Sequence, residues 1–182
     1  MRYVAIACGC LLAAVLVVAL GGKAWRPAAF RAFADALVTL RLTGTGSRYA
    51  LASAVAVAEA AVVVLLLGTA WAPIGFAAAV GLFGVLTAGV AVSLSRGAAT
   101  PCPCFGAASR PVGPPTLVRN GMLIVVATLG LCAALAGSGP IRGTGVALAV
   151  TAGLVGAVLV IQFDDVVDLF WPASGRRTSY PR

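Results

Sequence analysis

The sequence predicts an all-α membrane protein, a compact bundle of about five transmembrane helices. Of its 182 residues, 61% are hydrophobic and only 10% are charged, and the mean hydropathy is +1.05. Soluble domains carry roughly a quarter charged residues, so this composition is suited to a lipid environment. The apolar residues also fall into nearly uncharged stretches of about 20 residues, the length that crosses a bilayer as a helix.

The spans are predicted at about residues 4–22, 50–70, 74–95, 119–137 and 143–162, in one membrane domain over residues 1–163. The first is longer than the apolar region of a usual signal peptide and lacks a clear small-residue cleavage site, which favours an uncleaved helix. The break at Trp71-Ala72-Pro73 separates the second span from the third. Residues 164–182 are predicted to form a polar, disordered tail.

The segment between the first two spans has a different pattern. Apolar residues, among them Phe30, Phe33 and Leu37, recur there at near-helical spacing between basic residues. This pattern predicts an amphipathic helix over 28–42 that lies in the membrane interface or enters it as a re-entrant segment. The alternative count is therefore four spans plus this helix.

The charge distribution and the residue inventory exclude several classes of function. The net charge is +8, but the basic residues are scattered along the loops, so they are interpreted as membrane-flanking anchors. The lipid bilayer, and not nucleic acid, is the predicted partner. The chain contains no histidine. That absence excludes histidine-based acid–base catalysis, Cys-His and Ser-His nucleophile pairs, and mixed Cys/His zinc sites.

A Cys-x-Cys pair lies in the long polar loop, within Pro101-Cys102-Pro103-Cys104-Phe105-Gly106. Two cysteines one residue apart can bond only with strain, and a strained disulfide is easily reduced, which suits thiol–disulfide exchange. The alternatives are a structural or incidental pair and a soft-metal site. Two thiolates without histidine are an incomplete ligand set, so Cu(I) is disfavoured and no metal site is predicted.

Arg119 and Asn120 begin the fourth predicted span, beyond the cysteine loop. A cation and the positive end of a helix near the loop would favour thiolate over thiol, so both residues are candidates for tuning Cys102 and Cys104. The alternative for Arg119 is a side chain that extends to the membrane interface, as is common at helix ends.

Glu59 lies near the middle of the second predicted span. An ionisable side chain at that depth normally faces the interior of a bundle or a water-filled path. Lys23 and Arg119 are its candidate partners. Glu59 is interpreted either as a proton-handling group or as a polar contact in the core.

The other cysteines and the acidic cluster are not predicted to form sites. Cys8, Cys10 and Cys132 lie within spans, where a free cysteine packs as a small hydrophobe. With five crossings Cys8 lies on the opposite membrane face from Cys102, and an additional crossing by 28–42 would bring them to one face. The Asp-Asp-x-x-Asp pattern at 164–168 has no second acidic cluster to complete a Mg²⁺ site.

Together these residues resemble the methylamine utilisation protein MauE family, which is broadly similar to DoxX-like membrane bundles. The matching features are Lys23 after the first span, Glu59 within the second, the Cys102-Pro103-Cys104-Phe105-Gly106 loop, and Arg119-Asn120 at the fourth. They cover roughly residues 10–135. Members of the family more often have Gly between the cysteines, where this chain has Pro103.

The resemblance implies a multi-pass protein of the cytoplasmic membrane. Such a protein would assist the processing or disulfide maturation of the methylamine dehydrogenase small subunit, or of another exported protein, beside a thioredoxin-like protein. Any enzymatic activity would be of the thiol–disulfide oxidoreductase type. An analogy with quinone-linked disulfide-forming membrane proteins makes a quinone the candidate cofactor. The alternatives are a non-catalytic scaffold or copper-binding maturation factor, and a small transporter centred on Glu59.

The orientation of the protein receives two conflicting predictions. With five crossings, 11 of the 13 Lys and Arg residues fall on the side of the membrane that holds loop 23–48, the cysteine loop and the C-terminal tail. The other two, Arg2 and Arg142, fall on the opposite side. The positive-inside rule then places the loop in the cytoplasm. Disulfide formation in exported proteins requires the loop on the opposite side.

Overall fold

Six helices make up the described part of the chain. The computed structural model describes residues 1–25, 27–39, 43–68, 70–95, 114–137 and 143–163. Its helices are α1 (Arg2–Ala24), α2 (Pro27–Thr39), α3 (Arg48–Leu67), α4 (Ala72–Ser95), α5 (Pro114–Leu135) and α6 (Gly143–Ile161). No strand occurs in these ranges. The all-α fold class predicted from the sequence is therefore confirmed.

Five of the helices, α1, α3, α4, α5 and α6, are long and apolar enough to cross a membrane. The shortest of them has 19 residues and the longest 24. At a rise of about 1.5 Å per residue they measure roughly 29–36 Å, comparable with the hydrocarbon core of about 30 Å. The prediction of five spans is confirmed.

Helix α2 is shorter and amphipathic. Its 13 residues measure about 20 Å, less than the thickness of the hydrocarbon core. One face is buried and consists of Phe33, Ala34, Ala36 and Leu37. The other face exposes Arg31 and Asp35. This helix corresponds to the amphipathic segment predicted over 28–42, and it ends at Thr39.

The helices α1, α3, α4 and α5 form a four-helix ring. Both α1 and α4 contact α3 and α5, so α1 and α4 lie diagonally opposite each other. Helix α6 packs on the outside of α1, and α2 packs on α3 and α1. Successive spans alternate in direction, so α4 ends and α5 begins at the same end of the ring. We call this the loop end, because residues 96–113, which include Cys102 and Cys104, join α4 to α5 there.

The half of the ring away from the loop end has an apolar core. Phe76 of α4 is 1% exposed, and its ring lies against Gly9 of α1 and Gly130 of α5. A side chain on Gly130 would overlap the ring. The surrounding core consists of aliphatic side chains from all four helices, among them Leu12, Leu16, Val62, Val63, Ala79, Leu123 and Ala127. Small residues thus let the backbones approach closely, as expected for a compact membrane bundle.

Helix α6 docks on α1 through three glycines. Gly145 lies against the ring of Tyr3, and Gly156 lies against the Leu11 side chain. Gly153 faces the backbone of α1, where an added Cβ would lie 2.5 Å from the Ala7 carbonyl oxygen. Backbone cannot give way as a flexible side chain can, so the approach of α6 to α1 requires glycine at this position.

We expect Gly153→Ala to lower the thermal unfolding temperature of the purified protein in detergent micelles. The added methyl group overpacks the α1–α6 interface, and overpacking costs about 1–3 kcal/mol. Gly81→Ala is the matched control, because a Cβ at Gly81 meets no atom within 4 Å. Equal unfolding temperatures for the two variants would contradict the packing of α6 on α1.

Candidate functional site

Buried polar side chains gather in the half of the ring nearest the loop end. Among the described residues, the buried polar or charged side chains are Lys23 on α1, Glu59 on α3, Ser93 on α4, and Arg119 and Asn120 on α5. All four helices of the ring therefore contribute. The depth of these residues can be compared with that of Phe76. At a rise of about 1.5 Å per residue, their backbones lie from about 9 Å to about 25 Å nearer the loop end than Phe76 does. The part of the apolar core around Phe76 lies farther from the loop end than this polar layer.

Lys23 and Glu59 form an ion pair inside the ring. The Nζ atom of Lys23 lies 2.5 Å from Oε1 of Glu59, and the two residues are 3% and 2% exposed. Side chains on a helix lean toward its N-terminus. Because α1 and α3 run in opposite directions, Lys23 leans inward from the loop end while Glu59 leans outward to meet it. The two groups therefore meet although their backbones lie at different depths.

This pairing selects one of the two partners that the sequence offers for Glu59. Lys23 and Arg119 both lie toward the loop end, and the structure joins Glu59 to Lys23. A buried ion pair adds little net stability compared with well-packed apolar residues, since desolvation offsets the attraction. Removing one partner is different, because it leaves a charge buried without compensation.

Helix α2 contributes an aromatic ring to the same group. The Nζ atom of Lys23 lies 4.7 Å from the centroid of the Phe33 ring, and Phe33 is 2% exposed. A cation at this distance over a ring face is attracted to its negative quadrupole. The sequence indicated Phe33 only as part of the apolar face of α2. Its contact with Lys23 depends on the way α2 folds back beside the end of α1.

The second carboxylate oxygen of Glu59 is also buried. Within the part of the chain that the structure describes, Oε2 has no hydrogen-bond partner. A buried acceptor without a donor is unfavourable, and such groups are rare in folded proteins. Oε1 of Glu59 is thus bonded to Lys23, and Oε2 keeps its capacity to accept a hydrogen bond.

Arg119 and Asn120 occupy the second turn of α5. The helix begins at Pro114, five residues before Arg119, and proline is well suited to the first turn because it has no N–H to leave unbonded. Arg119 is 4% exposed and Asn120 is 7% exposed, so both side chains lie inside the bundle. Ser93 of α4 is fully buried at the same end and donates its hydroxyl to the Gly89 carbonyl.

The structure brings four of the six predicted site residues, Lys23, Glu59, Arg119 and Asn120, into one half of the ring. Cys102 and Cys104 lie outside the described residues, as does the acidic cluster at 164–168. The ends of the cysteine-bearing connection, Ser95 and Pro114, are at the loop end. The redox role of the two cysteines remains a prediction.

The remaining cysteines are placed away from this polar layer. Cys8, Cys10 and Cys132 are free, and Cys132 is exposed on the outer surface of α5. Cys8 lies in the half of α1 farther from the loop end. Because α2 is too short to add a crossing, Cys8 lies toward the end of the bundle opposite to Ser95 and Pro114.

The fold and the site define a multi-pass α-helical membrane protein with a buried ion pair and a polar layer at one end. The family described as methylamine utilisation protein MauE matches residues 1–133, and the chain belongs to it. This confirms the resemblance seen in the sequence. The match ends within α5, so α6 lies beyond it. A search of curated proteins and a search of solved structures each found no match.

We expect Lys23→Met and Glu59→Met each to destabilise the protein by about 3–5 kcal/mol, because each leaves the other charge buried and uncompensated. The double variant should be more stable than the sum of the single effects predicts, since it buries no charge at these positions. Equilibrium unfolding in mixed detergent micelles measures this coupling. Arg31→Met, at an exposed position of α2, should change stability by less than about 0.5 kcal/mol. Strictly additive effects would show that the two residues do not interact.

Proposed function

We propose that the protein is a thiol–disulfide redox partner in the membrane, in which Cys102 and Cys104 cycle between dithiol and disulfide. The observation that carries the proposal is the polar layer at the loop end, where the connection that contains both cysteines joins α4 to α5. Membership of the MauE family associates the protein with methylamine utilisation. It supports a thioredoxin-like protein as partner and the small subunit of methylamine dehydrogenase, or another exported protein, as the substrate.

The proposed reaction is an ordinary disulfide exchange. The thiolate of one cysteine attacks a sulfur of the partner's disulfide, which forms a mixed disulfide and releases a partner thiolate. The second cysteine then attacks the sulfur of the first and releases the partner as a dithiol. Two electrons and two protons pass from the cysteine pair to the partner in this direction. The reverse sequence reduces Cys102 and Cys104 and oxidises the partner.

The buried polar residues would assist this exchange. The guanidinium of Arg119 and the N-terminal end of α5 favour the thiolate form of a nearby cysteine, and Asn120 supplies a further hydrogen-bond donor. Glu59 would carry a proton between the attacking thiol and the departing thiolate. Lys23 would hold the carboxylate in place through Oε1 and leave Oε2 for that proton.

The side of the membrane that the loop faces determines its partner. Maturation of an exported protein requires Cys102 and Cys104 on the non-cytoplasmic side. The distribution of Lys and Arg favours the cytoplasmic side, where a thioredoxin-like protein of the cytoplasm would be the partner. Labelling of the two thiols with a membrane-impermeant maleimide in spheroplasts and in inverted vesicles distinguishes the two forms of the proposal.

Cys102→Ser and Cys104→Ser are each expected to abolish maturation of the substrate, and one of them should accumulate a mixed disulfide with the partner. Acid quenching of native membranes, followed by alkylation with a mass-tagged maleimide, reports both redox states. Cys132→Ser is the control, because Cys132 is exposed on the outer surface of α5 and should be dispensable. Full function in both loop variants would instead favour a non-catalytic scaffold.

Arg119→Gln is expected to slow alkylation of the loop cysteines by iodoacetamide at neutral pH about fivefold. Loss of the cation lowers the thiolate fraction, and fivefold corresponds to an electrostatic interaction of about 1 kcal/mol. Arg119→Lys keeps the charge and should retain most of the rate. The control is Arg2→Gln, at the opposite end of the bundle. An unchanged rate in Arg119→Gln would remove Arg119 from the proposed mechanism.

A further inference from the structure

We propose that α2 is a hinged cover over the Lys23–Glu59 ion pair, and that the ring of Phe33 is the latch that keeps it closed. The cover controls the access of water to this pair from the loop end. The inference goes beyond the redox function and does not depend on it, because it concerns the exposure of Lys23 whether or not Cys102 and Cys104 exchange electrons.

The packing of α2 is separate from that of the ring. Phe33, Ala34 and Leu37 form a small apolar cluster with Ala52 of α3. The main core is a different cluster, built from α1, α3, α4, α5 and α6. A segment whose apolar contacts form their own small cluster can open while the rest of the structure stays folded. Helix α2 can therefore move without disrupting the ring.

Lys23 is buried because α2 lies over it. It is the next-to-last residue of α1. Trp25, which comes directly after the helix, is 86% exposed, so this end of α1 reaches the edge of the bundle. A lysine at such a position normally extends its ammonium group into water. Here the ammonium group instead contacts both the Glu59 carboxylate and the Phe33 ring. Movement of α2 would expose it.

A hinge is present where α2 leads into α3. The turn over Thr43 to Ser47 contains Gly44 and Gly46, and a Cβ at either glycine would meet no atom within 4 Å. Two hydrogen bonds lie within the turn, from the Ser47 N–H to the Gly44 carbonyl and between the Thr43 and Ser47 hydroxyls. Because there is open space around both glycines, the turn as a whole can absorb a change in backbone angles, as hinges do. Among the described residues here, the ion pair from Arg48 to Asp35 at 2.9 Å is partly exposed, so it adds little restraint.

The opening and closing of α2 would change the surroundings of Glu59. With α2 closed, the pair is dry and Glu59 is fixed by Lys23. With α2 open, water reaches Lys23 and can hydrate the carboxylate, which allows proton exchange with the membrane face at the loop end. Because Phe33 contacts Lys23, a movement of α2 changes how far the charges of this ion pair are shielded from water.

The composition of the chain provides a direct probe of this motion. Lys23 is the only lysine in the sequence, so an amine-reactive reagent can modify only Lys23 and the N-terminal amine. Met1 is 74% exposed at the opposite end of the bundle and serves as an internal reference. The full chain in lipid nanodiscs is treated with a sulfonated N-hydroxysuccinimide acetate, and mass spectrometry gives the two rates of acetylation.

We expect the ratio of the Lys23 rate to the N-terminal rate to be lower in the folded protein than in the same protein unfolded in sodium dodecyl sulfate. Phe33→Leu keeps an apolar side chain but removes the ring, and it should raise the rate at Lys23 about tenfold, the scale of one partly buried cation–π contact. Phe33→Tyr keeps the ring and should retain the low rate. Arg31→Leu is the control on the same helix, because Arg31 is exposed; the rate at Lys23 in that variant should stay within about twofold.

Three results would overturn the proposal. They are a ratio of the Lys23 rate to the N-terminal rate that is the same in the folded and the unfolded protein, an unchanged rate in Phe33→Leu, and equal increases in Phe33→Leu and Arg31→Leu. If Phe33→Leu does not fold, the hinge supplies an independent test. Replacing both Gly44 and Gly46 with Ala leaves the latch intact and stiffens the turn, so it should slow the acetylation of Lys23. A rate that is unchanged or higher in that variant would also overturn the proposal.

Discussion

The architecture depends on the requirement that a charge inside a membrane be compensated. Glu59 lies deep in α3, where water cannot solvate it, and Lys23 supplies the counter-charge from the neighbouring helix. This requirement fixes how α1 and α3 are placed relative to each other, because a lysine near the end of one helix must reach a carboxylate near the middle of the other. It also favours a position of α2 in which the Phe33 ring lies against the ammonium group of Lys23.

The interior of the ring is apolar around Phe76 and polar toward the loop end. Around Phe76 the interior is apolar and closely packed, and glycines allow the helices to approach. Toward the loop end each of the four helices contributes a buried polar side chain. Polar groups are costly at such positions and weaken the packing that surrounds them. Ser95 and Pro114, between which the chain carries both cysteines, are at the same end of the ring.

The number of spans could be predicted from the sequence because it depends on length and hydropathy, which are local properties. The partner of Glu59 could not, because Lys23 and Arg119 are both cations toward the same end of the bundle. The choice depends on the order of helices around the ring: α3 contacts α1, and α5 lies across the ring from α3. Phe33 was missed as a site residue for the same reason. An apolar residue on an amphipathic helix gives no sign that a cation will lie over it.

The docking of α6 on α1 has a consequence for the topology of the whole chain. The residues that match the MauE family end within α5, and the ring is already closed without α6. A chain that stopped after α5 would cross the bilayer four times, and both of its termini would be on one face. The fifth crossing reverses that parity. Helix α6 ends at Ile161 on the same face as Ser95 and Pro114, so this single glycine-docked helix determines the membrane face at which the last described helix ends.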